Sequence, residues 1–423
     1  MSETDREYDL VVWGATGVAG GFVADYLTEQ HSPDTLSLAL GGRDESRLES
    51  LVSECTRRSE WEDIPIVIGD ATEPASLQEI AHSTRVVCTT VGPYTKYGTP
   101  LVDACVDAGT DYCDLTGEVT WVREMIDRYH EPAVDGDTRI VHSCGFDSVP
   151  ADLGTLLVQS YAIETFDTPC DVVRIYVESV SGDVSGGTLA SMGELFEAAS
   201  TDPLARQTLA NPYSLAPPGE RSGVDPGEQR RPHRDGLRGA WTAPSPMASV
   251  NERVIRRSNA LLGYPWGEEF CCTEVIPTGT GLTGAAGAGL LAGGLGLFTG
   301  AMSVGPLRSA LGKYVFPEPG EGPTEEQAEQ GHFTIRLLGR GTTRDGSFTV
   351  EAEFGADRGP GYSATARMLG EAAMCLVQDD TDSPLDGGVL TPASAIGTPL
   401  ADRLRAVGFT ATVGTATENP AQQ

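Results

Sequence analysis

The feature that most constrains this chain is a glycine-rich turn near its start. Gly14-Ala15-Thr16-Gly17-Val18-Ala19-Gly20 follows the apolar run Tyr8–Trp13 and opens a stretch of helical pattern, Val18 to Gln30. A short strand, a glycine turn and a helix in that order make a phosphate cradle. Glycine lets the backbone turn tightly and approach a pyrophosphate, and the helix N-terminus adds unpaired N–H groups and a positive dipole end. Gly14, Ala15, Thr16, Gly17, Val18 and Gly20 are therefore expected to bind a dinucleotide. The spacing is GxxGxxG, a variant suited to NADP.

The pattern around the turn extends it into a domain. Further strands are expected at Leu36–Leu40, Ile64–Ile68, Arg85–Thr90, Asp111–Leu115 and Arg139–His142. Helices fit between them at Asp44–Arg58, Ala75–His82, Thr99–Ala108 and Val119–Tyr129. Such alternation predicts an α/β fold whose first domain, residues 1–150, is a doubly wound parallel sheet of Rossmann type. After Pro150 the pattern changes. Asp171–Val180, His332–Leu338 and Ser347–Phe354 read as strands, Gly186–Ala199 as a helix and Asn211–Arg238 as a long loop. Tyr362, Ala366, Leu369, Ala373 and Leu376 form a helical apolar stripe. Residues 151–385 are thus expected to be a second, α+β domain. A helix near Thr398–Val407 and a strand at Phe409–Val413 fall in the remaining segment, 386–423.

The second strand ends Gly41-Gly42-Arg43. An acid there would hold the ribose hydroxyls of NAD; arginine offers a fork for a 2′-phosphate, so NADP is favoured over NAD. Asp70, after the third strand, can accept from an adenine amino group. Val91, Gly92 and Pro93 end the fourth strand, at the carboxyl edge where a nicotinamide ribose would lie. Tyr94, Lys96 and Tyr97 follow and are expected to project from the loop, where one of them, or bound water, would supply the proton. Asp147 and Ser148 lie just past the sixth strand and read either as a helix cap or as substrate contacts. Gly187 and Thr188 open another helix, a plausible anion or carbonyl site. Arg256, flanked by Arg253 and Arg257, can grip a carboxylate or phosphate, although each has many structural partners on offer. No metal site is expected, because no cysteine or histidine spacing suits one.

Charge excludes one class of partner. There are 61 Asp and Glu against 29 Lys and Arg, a net charge of −32, which repels nucleic-acid backbones. Only two lysines occur, Lys96 and Lys313. An acidic, lysine-poor surface reads as adaptation to very high salt, where self-repulsion is screened. Met1 to Tyr8 is acidic and polar with no signal-peptide pattern, so a reducing cytoplasm is expected. Val275–Leu307, by contrast, carries no charge at all. Three readings fit it: a buried or oligomer-interface segment, a hairpin touching membrane or lipid, or a span.

As a set, these motifs resemble the saccharopine dehydrogenase-like oxidoreductases, including their trans-acting enoyl reductase branch. The matching residues are Gly14–Gly20, Gly41–Arg43, Val91–Tyr94 with Tyr97-Gly98, Ala104-Cys105, and Gly109–Glu118. Further on they are Cys144–Asp152, Ser185–Thr188, Met247–Gly267 and Gly388–Ser394. The resemblance implies a Rossmann domain, a second domain that often dimerises, and NAD(P)-linked reduction. It also implies a C-terminal segment, 386–423, that returns to the first domain, and a hydrophobic segment comparable to one in lipid-associated relatives. The expected protein is then a homodimeric NADP-dependent oxidoreductase that reduces a C=C or C=N bond of a small-molecule or lipid-like substrate, with peripheral membrane contact through 275–307. A saccharopine-type amino-acid dehydrogenase and a non-catalytic, lipid-associated NADP-binding scaffold are the alternatives.

Overall fold

The computed structural model describes residues 6–182, 193, 197–305, 307 and 324–416. Two seven-stranded sheets organise them. The first holds β1 (Tyr8–Trp13), β2 (Leu38–Gly42), β3 (Ile66–Ile68), β4 (Thr84–Thr89), β5 (Asp111–Asp114) and β6 (Arg139–Val141). All its pairings are parallel, and the order is β13-β6-β5-β4-β1-β2-β3, where β13 is Gly388–Leu390. This is the doubly wound parallel sheet that the alternating pattern predicts. Strand ends differ from expectation by one or two residues.

Local chemistry accounts for the elements. β1 sits between β2 and β4, so Leu10, Val11 and Val12 are buried on both faces of the sheet, as a near-continuous apolar run requires. The helix Glu45–Arg58 starts at Asp44, whose carboxylate accepts from the Arg47 N–H. The helix Thr99–Ala108 carries Pro100 in its first turn and stops at Gly109, at φ +62°.

The second sheet is mixed. It contains β7 (Val172–Ser181), β8 (His233–Arg234), β9 (Trp241–Pro244), β10 (Cys271–Gly279), β11 (His332–Thr343), β12 (Gly346–Ala356) and β14 (Thr410–Thr415) in the order β14-β12-β11-β7-β10-β9-β8. β10 and β7 pair in parallel, and the other pairings are antiparallel. β11 and β12 form a long hairpin.

The core is continuous between the sheets. The helix Val149–Phe166 joins them, and its Leu153 and Val158 belong to the same buried cluster as Leu10 and Val86 of the first sheet and Leu337 and Phe354 of the second. From the later half of the chain, the π-turn Pro360–Ala364 leads into the helix Thr365–Gln378, which packs against the helix Val18–Gln30 and against β4 and β5. β13 adds to β6, with Val389 opposite Ile140. Chain from far downstream thus completes both a face and an edge of the first sheet.

After Val275–Gly279, which end β10, the uncharged segment forms a helix, Gly281–Met302, 22 residues long and apolar enough by length and composition to cross a membrane. It starts against β9 and β10, yet Leu282, Leu290 and Leu297 stand 89%, 79% and 78% exposed. The chain does not bury it, which removes the core reading of this segment.

Candidate active site

The carboxyl ends of the first sheet line up along one edge. At its centre, β1 delivers Gly14, whose φ of +86° suits glycine. The Gly14 and Ala15 N–H groups donate to Gly41 O at 2.9 and 3.1 Å, and the Gly17 N–H donates to Gly14 O at 2.9 Å. A Cβ on Gly20 would lie 2.2 Å from Gly14 O, so only glycine lets the helix start this close to the turn. That helix begins at Val18 with Gly17 as its N-cap. It has no side-chain cap and no acid in its first turn, so its N–H groups are available to a ligand anion. Ala15, Thr16, Gly17 and Val18 line a cavity of about 490 Å³ together with Arg47 and Arg58. Close backbone, open N–H groups and nearby cations fit the pyrophosphate of a dinucleotide.

Arg43 is exposed at the end of β2. Arg47, one helical turn further, donates to Thr16 O at 2.9 Å and brings a second guanidinium beside the turn. Sequence reasoning missed Arg47, though its i+4 spacing from Arg43 is a readable signal. Asp44 between them caps the helix and also accepts from the Ser46 hydroxyl. Asp70 Oδ1 accepts from the Thr72 N–H and hydroxyl at 2.8 and 2.7 Å. Those bonds, with Arg43 adding less, hold its carboxyl below the ordinary range. Asp70 therefore folds its own turn, and one of its oxygens is already engaged.

At the other end of the edge stand the loops after β4, β5 and β6. Val91, Gly92 and Pro93 run along the rim, with the Val91 N–H donating to Thr89 Oγ1. Tyr94 does not project from the loop. Its side chain is buried, its hydroxyl donates to Thr89 O at 3.2 Å and accepts from the Leu115 N–H at 3.4 Å, and burial drives its pKa up. Lys96 and Tyr97 are exposed. Glu118 holds this loop by accepting from the Tyr94 and Thr95 N–H groups at 2.9 and 2.8 Å. Asp114 ties the neighbouring loops together. It accepts from the Thr116 and Ser143 N–H groups and from Tyr112 Oη, and lies 2.7 Å from His142 Nδ1.

Asp147 and Ser148 separate in role. Ser148 is buried and bonds Asn251 Oδ1 at 3.0 Å. Asp147 does not cap the helix Val149–Phe166. Its carboxylate stands beside Gly117, where a Cβ would lie 3.8 Å from Oδ2. Burial pushes it up to about 6.

Arg256 is not placed to grip a substrate. It is buried on the helix Ala248–Leu261, pairs with Asp225 at 2.8 Å and with Glu252 at 3.0 Å, and lies over the Tyr213 ring. Arg253 and Arg257 likewise donate to backbone carbonyls, those of Asn211 and Leu209 for one and of Leu215 and Val389 for the other. Gly187 and Thr188 lie outside the described residues, as does most of the helix expected at Gly186–Ala199.

A doubly wound sheet whose central glycine turn fits a pyrophosphate defines a dinucleotide-binding protein. Comparisons with known proteins narrow the class. No family model matches the chain. A Mycobacterium tuberculosis protein whose name assigns it provisionally to the trans-acting enoyl reductases is 40% identical over 419 residues, spanning 96% of this chain and 98% of its own. A trans-acting enoyl reductase of Mycobacterium ulcerans is 37% identical over 422 residues, with the same two shares. Apo saccharopine dehydrogenase (L-Glu forming) from Saccharomyces cerevisiae shares the fold at a TM-score of 0.51 and 12% identity, over 97% of this chain and 100% of its own. The chain belongs to the trans-acting enoyl reductase family, on a saccharopine dehydrogenase-like fold.

Proposed function

We propose that the protein is an NADPH-dependent reductase of an α,β-unsaturated acyl group. The observation that carries the cofactor half is the arginine pair, Arg43 and Arg47, at the end of β2 beside the uncapped helix. Gly14, Gly17 and Gly20 would hold the pyrophosphate, and Val91 to Pro93 the nicotinamide ribose. The cofactor supplies a hydride equivalent when bound; the chain's residues orient the substrate above it and exclude water. The acyl half comes from the relatives' names. A saccharopine-like secondary amine would need carboxylate grips, and the arginines the sequence offers for them are engaged elsewhere, Arg256 by Asp225 and Glu252 and Arg253 and Arg257 by backbone carbonyls.

Calorimetry in molar KCl, the condition the acidic surface suggests, tests this reading. NADPH is expected to bind more tightly than NADH. Arg43→Glu should weaken NADPH by about 10- to 100-fold, the value of one charge-assisted contact, with little change for NADH. Equal affinity for the two nucleotides would overturn the NADP assignment. No binding of either would overturn the cofactor reading itself.

Two further parts of the reading concern surfaces. The exposed helix Gly281–Met302 supports peripheral contact with a lipid surface. With a net charge of −32 elsewhere, neutral or zwitterionic lipid suits it better than anionic lipid. The family resemblance supports a homodimer. Leu290→Glu with Leu297→Glu should abolish co-sedimentation with phosphatidylcholine vesicles and leave NADPH binding intact. A fall from dimer to monomer with that variant would instead assign the helix to self-association.

A further inference from the structure

The mechanism needs a proton as well as a hydride, and the sheet edge offers several acids. Asp114 accepts from two backbone N–H groups and from Tyr112. Glu118 holds the Tyr94 loop. Asp152 accepts from Ser258 and the Ala393 N–H. Glu274 on β10 accepts from Ser245 and Asn251, and Glu252 pairs with Arg256. Asp147 differs from all of them. It stands in the same neighbourhood, half-buried, with burial alone acting on its carboxyl and no hydrogen-bond or ion-pair partner among the described residues.

Its place on the edge matters as much. β2, β1, β4, β5 and β6 are consecutive neighbours, so four strand spacings, roughly 19 Å, separate the loop of Arg43 from the loop of Asp147. A dinucleotide stretched from Arg43 across the Gly14 turn would bring its reactive ring toward the loops of Gly117 and Asp147.

We propose that Asp147 is the general acid of the reduction, delivering its carboxyl proton to the α-carbon of an α,β-unsaturated acyl substrate lying against Gly117. The inference rests on the enoyl reductase reading. In the step, the substrate's β-carbon gains a hydride from the dihydronicotinamide, which is thereby oxidised by two electrons. The C=C π pair shifts toward the carbonyl as an enolate. That pair then returns to the α-carbon and takes the Asp147 proton, forming the second C–H bond and leaving a carboxylate. The carboxylate regains its proton from water.

The surroundings suit a proton held near neutrality. Burial raises the carboxyl to about 6. Glu274 faces it from the second sheet, and is itself held up by burial. The loop after β5 faces it with the Gly117 backbone. Asp114 and Glu118 in that stretch are turned into their own hydrogen bonds, and Arg256 is occupied by Asp225 and Glu252.

Asp147→Asn in the full chain tests the inference, with Asp147→Glu as a variant that keeps an acid. Infrared titration of the ligand-free protein should show a protonated-carboxyl band that fades near pH 6 and is smaller in Asp147→Asn, with Asp152 supplying the remainder. NADPH affinity should stay within about twofold of wild type. Reduction of crotonyl-pantetheine should fall at least about 100-fold in Asp147→Asn and recover in part in Asp147→Glu. An acid must be protonated to act, so wild-type kcat/KM should decline above about pH 6, and that limb should be absent from Asp147→Asn. An Asp147→Asn variant that keeps wild-type turnover and the same pH limb overturns the inference alone. A wild-type protein that binds NADPH and leaves the thioester untouched overturns the enoyl reading, and this inference with it.

Discussion

Arg256→Ala is expected to destabilise the folded protein by about 3–5 kcal/mol, a large share of the 5–15 kcal/mol typical of a folded domain. The guanidinium sits between Asp225 and Glu252, both with fully buried side chains. Asp225 uses the same carboxylate to accept from the Cys272 N–H at 3.0 Å. Removing the cation leaves two buried acids without their partner, in a medium that solvates charge poorly. Acid should relieve part of the loss. Burial raises the Glu252 carboxyl to about 8 even with Arg256 opposing it. Without Arg256 it rises further, so near pH 8 the variant must hold a proton that the arginine lets the wild type release, while at pH 5 Glu252 is protonated with or without the arginine. Urea unfolding at fixed KCl should therefore show a smaller penalty at pH 5 than at pH 8. A stable Arg256→Ala protein with a raised KM would return Arg256 to the substrate site.

The second large effect separates two adjacent glycines. Gly20→Ala would place a Cβ 2.2 Å from Gly14 O, a backbone atom with no freedom to move aside. The turn and the helix must part, carrying the N–H groups out of line. NADPH binding should weaken at least about 100-fold, equivalent to roughly 2.8 kcal/mol, with about 1–3 kcal/mol lost in stability. Gly21→Ala puts its Cβ 3.7 Å from Ala15 O, an ordinary contact. That variant should bind NADPH like wild type and gain about 0.4–1 kcal/mol, because alanine costs the helix less chain entropy than glycine. Calorimetry and thermal melts on the pair decide the matter. Equal binding by both variants would show that the close approach at Gly20 does not shape the phosphate site.

These variants mark how far local sequence reaches. The Gly14–Gly20 turn was legible because its chemistry is local. An apolar run long enough for one strand, glycines at fixed spacing and the helix that follows are set by residues within a few positions of one another. The parallel sheet was legible for the same reason, through strands buried on both faces and helices between them. Arg43 at the end of the second strand follows from the same short-range order.

Tertiary structure decided the rest. Helix Ala248–Leu261 has the charge of a surface helix, yet Glu252, Arg253, Arg256 and Arg257 are buried, because their partners Asp225, Leu209 and Val389 arrive from distant chain. Helix Val149–Phe166 has no clean polar face to reveal it, since it lies between two sheets. Tyr94 looked like a loop residue until Thr89 and Leu115 closed around it. The helix Gly281–Met302 could be read from composition as buried or exposed, and only the packed chain shows it uncovered. Asp147 could equally have been a cap. What a side chain can do chemically depends on which groups reach it and how much water remains, and both are settled by residues that lie far away in the sequence.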